Sequence, residues 1–174
     1  REDPVRILRA IKFSARLGFL IEEQTLDAMR AETALLARAA IPRLYEELIR
    51  MMRGGASRQS ISLMAEYGVL ELLVPEVFAL IPVDDDDLVI ANLGPLLSSF
   101  DHYLSKKSRV PNSVALAVLF WPLIQSLISE GFVYRGPQHF RDFSRNLLGG
   151  FYQRLAVPRK TQESLVALID SHLR

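Results

Sequence analysis

The 174 residues suffice for one domain or two small ones, and 49% apolar with 24% charged residues is typical of a folded chain and excludes general disorder. The absence of cysteine excludes disulfides, thiolate metal ligands and a cysteine nucleophile. The net charge of +1 is unevenly distributed, because residues 61–104 hold eight acids and no Lys or Arg, while residues 1–60 and 105–174 are basic. Two basic ends predict a polyanionic partner, although chance clustering of solvated faces would give the same pattern.

The first half of the chain is predicted to be helical. Asp3 is a favourable cap ahead of Pro4, and a helix is expected over residues 6–17, ended by Gly18. Proline and glycine boundaries then predict helices over 22–39, 43–53 and 57–67, the last capped by Ser57, and a short turn over 69–73. Strand-like alternation is nearly absent.

The second half is predicted to be helical as well. Four aspartates at 84–87 repel one another and favour a loop or a helix start, from which a helix is expected to run towards residue 105 with a kink at Gly94-Pro95. A very apolar helix is expected over 112–129, at the centre of the bundle, with others over 138–155 and from 158 onwards. The fold class predicted is all-α, an irregular bundle of about seven to nine helices, and both chain ends are expected to be cuts inside a longer protein.

Membrane and export signals are weak. No N-terminal stretch has the regions of a signal peptide. The most apolar run, residues 114–124, contains Pro122 and is too short to span a bilayer. We therefore expect a cytoplasmic protein without membrane association.

The first helix carries the most informative pattern. At 100° per residue, four cations fall within an arc of about 120° and four apolar residues face the other side (Arg6, Arg9, Lys12, Arg16; Ile7, Leu8, Ile11, Ala15). Asp3 lies one turn before Arg6. One interpretation is an N-cap beside a solvated face. The other is a pair that reads a base edge, in which the carboxylate accepts from an exocyclic amine and the guanidinium donates to a ring nitrogen or carbonyl.

The sequence around this helix resembles a known family. EDPVRILRAIKF at residues 2–13 resembles the E-D-x-x-R-x-x-R-A motif of class II tRNA nucleotidyltransferases, the CCA-adding enzymes, and of bacterial poly(A) polymerases. SARLGF at 14–19 and IPRLYEEL at 41–48 also fit this family, whereas AVLFWPL at 117–123 and LAVPRK at 155–160 are more similar to its poly(A) polymerase branch. The resemblance implies a fold like the poly(A) polymerase C-terminal region, with a helical neck over 1–75 and an RNA-binding body over 76–174, truncated at its C-terminus.

The resemblance also implies roles for individual residues. Asp3 and Arg6 would act as an amino-acid template for the incoming base, with Arg9 as a neighbour for phosphate or base. Arg43 and Glu46 would support them from a further neck helix. No catalytic residue is expected in this chain, because the family's catalytic carboxylates precede the motif.

The implied activity of the full enzyme is the addition of AMP from ATP to RNA 3′ ends. The alternative is CCA addition to tRNA from CTP and ATP. Two magnesium ions would belong to a catalytic head ahead of the neck, and no cofactor or metal is expected in this chain. Alone, it is expected to leave an RNA primer unextended with ATP and magnesium.

Several further residues are candidate RNA contacts. Basic residues that could meet phosphates are Lys12, Arg16, Lys106, Lys107, Arg109, Arg159 and Lys160, although charges at helix ends also serve solubility. Aromatic residues interleaved with arginines could form a stacking platform or simply belong to the core (Tyr134, His139, Phe140, Phe143, Phe151, Tyr152; Arg135, Arg141, Arg145, Arg154). A helical protein-interaction scaffold, with the acidic span 61–104 facing a basic partner, remains an alternative.

Overall fold

A computed structural model describes residues 3–81, 93–106 and 109–174. These residues form ten α-helices and one 3₁₀ helix and include no strand, so the all-α prediction is confirmed. The helices are α1 (Arg6–Leu17), α2 (Glu23–Glu32), the 3₁₀ helix (Thr33–Arg38), α3 (Ile41–Met52), α4 (Ser57–Glu66), α5 (Val69–Leu73), α6 (Pro75–Phe78), α7 (Leu93–Lys106), α8 (Asn112–Ser129), α9 (Pro137–Arg154) and α10 (Arg159–Leu173).

Most helix boundaries follow local signals. Gly18 ends α1 with a φ of 69°, and its N–H donates to the Ser14 carbonyl. Pro111 immediately precedes α8, and Pro158 immediately precedes α10. The Asp84–Asp87 run and the first residues of the helix predicted from there lie outside the described ranges.

The structure differs from the predicted elements at three places. The helix predicted over 22–39 is split, and buried Thr33 begins the 3₁₀ helix with its hydroxyl bonded to the Met29 carbonyl at 2.7 Å. Gly94-Pro95 lies in the first turn of α7, where proline is tolerated, and not at a kink. The prediction that Ser57 caps α4 is wrong, because Ala56 occupies the N-cap position.

The cap of α4 comes from a distant helix. The Asp101 carboxylate of α7 accepts hydrogen bonds from the backbone N–H groups of Ser57 at 2.8 Å and Arg58 at 3.1 Å. These amides are two of the donors that a helix start leaves without a partner inside the helix. The contact therefore joins α7 to α4 and replaces the local cap.

The core is one continuous cluster of buried apolar residues from Val5 to Ile169. Helix α8 lies at its centre and packs against α3, α6, α7 and α10, as its apolar character predicted. The Phe120 and Phe151 rings, from α8 and α9, meet edge to face with centroids 4.7 Å apart. The division into a neck over 1–75 and a body over 76–174 stays a prediction.

Helix α8 is the one helix among the described residues that is long and apolar enough to cross a membrane. Its 18-residue window has a mean hydropathy of 1.5, and 44% of it is buried inside the protein. A central core helix passes the same test of length and composition. The packing of α8 on four neighbours accounts for its apolar surface.

Helix α1 places the N-terminal motif on the surface of the bundle. Its apolar side, Val5, Ile7, Leu8 and Ile11, is buried, and the helix packs against α3 and α4. Because residues on the opposite face then point away from the core, the cations of α1 lie at or near the surface. The next two helices decide which of them acquire partners.

Candidate functional site

The Asp3 carboxylate is held at the start of α1 by two contacts. Its Oδ1 accepts a hydrogen bond from the Val5 N–H at 3.1 Å, and its Oδ2 lies 2.7 Å from Nη1 of Arg43 on α3. The Asp3 side chain is 38% exposed, so solvent still reaches it. An ionised carboxylate has about four acceptor positions, and these contacts leave some of them available.

Arg6 lies one turn after Asp3 and is exposed. Its backbone N–H donates to the Asp3 carbonyl at 3.0 Å, so the two residues belong to the same opening turn. The structure therefore brings three of the predicted site residues, Asp3, Arg6 and Arg43, to one end of the α1–α3 pair.

A buried acid connects α3 to the basic side of α1. Glu47 is 2% exposed, and its carboxylate lies 2.7 Å from Nζ of Lys12, 2.9 Å from Nη1 of Arg50 and 3.5 Å from Nε of Arg9. Burial raises the pKa of Glu47, but the hydrogen bond from Lys12 and the charges of Lys12, Arg50 and Arg9 outweigh it and hold this pKa below its ordinary value. Glu47 is therefore a charged link between the two helices.

Glu47 was not singled out from the sequence, which assigned the supporting acid to Glu46. The Glu46 side chain is 59% exposed and contacts Arg50 of its own helix at 3.5 Å. Helical periodicity offered a signal, since Glu47 falls between Leu44, Leu48 and Met51 on the buried side of α3. An acid on an apolar face needs a partner, and the cations of α1 supply it.

The cations of α1 and α3 also border a cavity of about 420 Å³, which we call the neck groove. Its polar lining comes from Lys12, Arg16, Arg50 and Arg53, and no acid lines it in the described part of the chain. Phe13, 52% exposed, also lines it, with the Lys12 ammonium 5.1 Å from the ring centroid. The neck groove thus combines positive charge with an accessible aromatic face.

The predicted RNA-contacting residues differ in their availability. Lys12 is committed to Glu47 and only 19% exposed, whereas Arg16 is exposed and has no ion-pair partner within the described ranges. Lys106 and Arg109 are exposed near Leu104 and Val110, which line the neck groove.

The other predicted contacts lie elsewhere. Lys107 is outside the described residues. Arg159 and Lys160 are exposed at the start of α10, away from the lining of the neck groove, and Arg159 pairs with Glu163 at 2.9 Å.

The predicted aromatic stacking platform does not form as a single exposed surface. Phe140 and Phe151 are 0% exposed and Tyr152 is 8% exposed, so the alternative interpretation as core residues is confirmed for them. Arg154, predicted beside them, is turned to Glu76 and makes two contacts with its carboxylate at 2.9 and 3.1 Å. Both helix faces bury these rings because α9 packs on the core and not on solvent.

Metal ligands are not clustered in the described ranges, where no three His, Asp or Glu side chains could hold one ion. The arrangement can therefore bind anions and read hydrogen-bonding edges through side chains, but it offers no metal chemistry of its own.

Comparisons with known proteins agree with the motif at the N-terminus. Residues 18–81 match the family described as "Probable RNA and SrmB-binding site of polymerase A". The chain is 28% identical over 164 residues to Poly(A) polymerase I of Haemophilus influenzae, which covers 92% of this chain and 36% of that protein. It is 29% identical over 127 residues to Poly(A) polymerase I of Escherichia coli O6:H1, with 72% of this chain and 27% of that protein covered.

A second kind of relative is also similar. The chain is 33% identical over 174 residues to the Multifunctional CCA protein of Pseudomonas aeruginosa, with 93% of this chain and 41% of that protein covered. The chain thus spans between 27 and 41% of the length of these three relatives.

Proposed function

The chain belongs to the family of bacterial poly(A) polymerases and class II tRNA nucleotidyltransferases, and from this premise we propose that it selects the incoming nucleotide and binds RNA. The full enzyme would add AMP from ATP to RNA 3′ ends. Residues 1–75 would recognise the base, and residues 76–174 would help to hold the RNA.

The nucleotide role is supported chiefly by the geometry of Asp3. Arg43 and the Val5 amide orient its carboxylate at 2.7 and 3.1 Å while leaving it accessible. An oriented acceptor loses little conformational freedom when it binds, so it can discriminate between bases more sharply than a mobile side chain. Asp3 would accept from the exocyclic amine of adenine, and Arg6 would donate to a ring nitrogen.

Arg9 would neighbour the bound nucleotide. Its Nε lies 3.5 Å from Glu47, but its side chain remains 49% exposed, so part of the guanidinium can still reach a phosphate or base. Arg43 would act as a positioning residue, since its contact is with Asp3.

The RNA role is supported by the neck groove and by the family match over residues 18–81. Arg16, Arg50 and Arg53 present guanidinium groups that bind phosphates. Phe13 offers an exposed ring on which a base can stack. These observations favour RNA over the protein-scaffold alternative.

CCA addition to tRNA is the second candidate for the full enzyme. It is favoured by the Multifunctional CCA protein, which is similar over 93% of this chain. Both enzymes would use ATP, so Asp3 and Arg6 would meet adenine in either case. Comparing CTP with ATP incorporation by the full-length protein separates them.

ATP, magnesium and a cytoplasmic location also belong to this proposal. The described residues supply no cluster for a metal ion, so we assign none to them. Magnesium would be held by a catalytic head, as the resemblance implies.

The nucleotide role is tested in the full-length protein with Asp3→Ala and Arg6→Ala. Each change should lower kcat/KM for ATP by about 10- to 100-fold, the worth of a hydrogen bond to a charged group, with the affinity for RNA nearly unchanged. Arg38→Ala, at an exposed arginine outside the site, is the matched control. Variants that use ATP as well as Arg38→Ala does would refute the base-recognition role.

The RNA role is tested with this chain and an oligoadenylate RNA at several salt concentrations. Replacing both Arg16 and Arg53 by alanine should weaken binding and lower the salt slope by about 0.7 per lost phosphate contact. Binding that is absent at low salt would contradict it.

A further inference from the structure

The helices α9 and α10 enclose a second groove, which we call the α9–α10 groove, with a volume of about 630 Å³. Arg141 and Arg145 line it from α9, and Arg159 and Arg174 line it from α10 or its end. Their exposed side chains stand on two walls of one concave surface. This groove shares no residue with the neck groove.

The charge of the α9–α10 groove is positive but partly compensated. Glu163 and Asp170 line it and pair with Arg159 at 2.9 Å and Arg174 at 2.7 Å. A third acid, Asp142, contacts Arg145 from α9 at 3.3 Å. Four arginines thus face three acids.

Arg141 is the arginine that these acids leave over. Its guanidinium bonds the neutral Gln138 amide oxygen at 2.7 and 3.2 Å and has no acid within ion-pair distance in the described ranges. The pairs at Arg145 and Arg159 join side chains that are 73 and 90% exposed, where solvent weakens an ion pair. A more strongly charged anion can therefore displace the acids.

Tyr152 adds an unused donor to this groove. It lines the groove, is 8% exposed, and its hydroxyl has no hydrogen-bond partner among the described residues. Burial raises the pKa of Tyr152 to about 12, so the phenol keeps its proton and can donate. A buried donor without a partner is uncommon in native proteins, and a bound ligand or water is one way to satisfy it.

We propose that the α9–α10 groove binds a phosphate of an RNA strand, with Arg141 and Arg145 on one side and Arg159 and Arg174 on the other. Arg159 was a predicted RNA contact, and the groove gives it partners. The planar guanidinium presents two parallel N–H groups to phosphate oxygens, and the Tyr152 hydroxyl can donate as well. The inference rests on the proposed RNA-binding function but on residues that the neck does not use.

The test measures the affinity of the 174-residue chain for an oligoadenylate RNA across a salt series. Replacing both Arg141 and Arg145 by alanine should weaken binding about tenfold at low salt and reduce the salt slope by about one. Both residues are exposed on α9 and alanine favours helix, so the variant should unfold like the wild type. Arg135→Ala, at an exposed arginine outside the groove, is the control.

A second variant isolates the uncharged donor. Tyr152→Phe should weaken RNA binding by about two- to fivefold with the salt slope unchanged, because no charge is removed. If the Arg141 and Arg145 double variant and Tyr152→Phe both bind as Arg135→Ala does, the groove has no part in binding. That result overturns the inference and leaves the proposed function standing, provided that the Arg16 and Arg53 double variant weakens binding.

Two other outcomes are decisive. If the wild-type chain shows no salt-dependent RNA binding, the proposed RNA role and this inference both fail. If free AMP binds saturably and the Arg141 and Arg145 double variant abolishes it without affecting RNA, the groove takes a mononucleotide. The assignment to an RNA strand is then wrong.

Discussion

Replacing Glu47 by glutamine removes the charge that joins α1 to α3 and keeps the size of the side chain. Lys12 is 19% exposed, and a hydrogen bond between charged groups contributes about 1.5 to 3 kcal/mol. Arg9 and Arg50 are 49 and 57% exposed, so each of their contacts adds at most about 0.5 kcal/mol. Glutamine still accepts one hydrogen bond, and the expected loss in free energy of unfolding is about 2 to 3 kcal/mol at pH 7.

The measurement is urea denaturation followed by far-ultraviolet circular dichroism. Glu46→Gln is the matched control on the same helix, and its exposed 3.5 Å contact predicts a change below about 0.5 kcal/mol. If Glu47→Gln is as stable as Glu46→Gln, the buried link does not hold the two helices together. The reasoning about the site's support would then be wrong.

The same pair has a signed pH dependence. The folded protein holds the pKa of Glu47 below its ordinary value of 4.5, so near that pH the unfolded chain binds more protons. The stability that Glu47 contributes is therefore complete above about pH 4.5 and is lost as the pH falls through the lowered pKa. The gap between wild type and Glu47→Gln should narrow on acidification and stay constant from pH 6 to 8, and a gap that widens in acid would contradict this sign.

Three further changes test other parts of the structure in the same unfolding assay. Asp101→Ala removes the cap that α7 supplies to α4 and should cost about 1 to 2 kcal/mol, whereas a loss below 0.3 kcal/mol would show that the cap contributes little. Arg154→Ala leaves Glu76, 17% exposed, without its partner and should cost about 2 kcal/mol, and unchanged stability would disprove the pair. Gly18→Ala places a side chain at a φ of 69° and should cost about 1 kcal/mol, unless α1 ends elsewhere in solution.

Local chemistry made much of the helical architecture predictable from the sequence. Gly18 and Pro111 end or precede their helices because their own backbone properties decide it. The apolar stripe of α1 was predictable for the same reason, since the 3.6-residue repeat fixes which side chains share a face.

Contacts between distant segments were not predictable in this way. Ser57 looked like a cap, but Asp101, 44 residues away, takes that role, and no periodicity relates the two. Asp3 meets Arg43 across 40 residues, which the family resemblance suggested only as a supporting helix. Arg154 looked like an RNA contact because aromatic residues surround it in sequence, yet tertiary packing turns it towards Glu76.

The most direct test of the account compares ATP with purine riboside triphosphate, which lacks the exocyclic amine, in the full-length protein and its Asp3→Ala variant. If Asp3 accepts from that amine, the wild type should prefer ATP by about 10- to 100-fold in kcat/KM, and Asp3→Ala should use the two nucleotides almost equally. A preference for ATP that is as strong in Asp3→Ala as in the wild type would contradict the account, because the amine would then be recognised elsewhere.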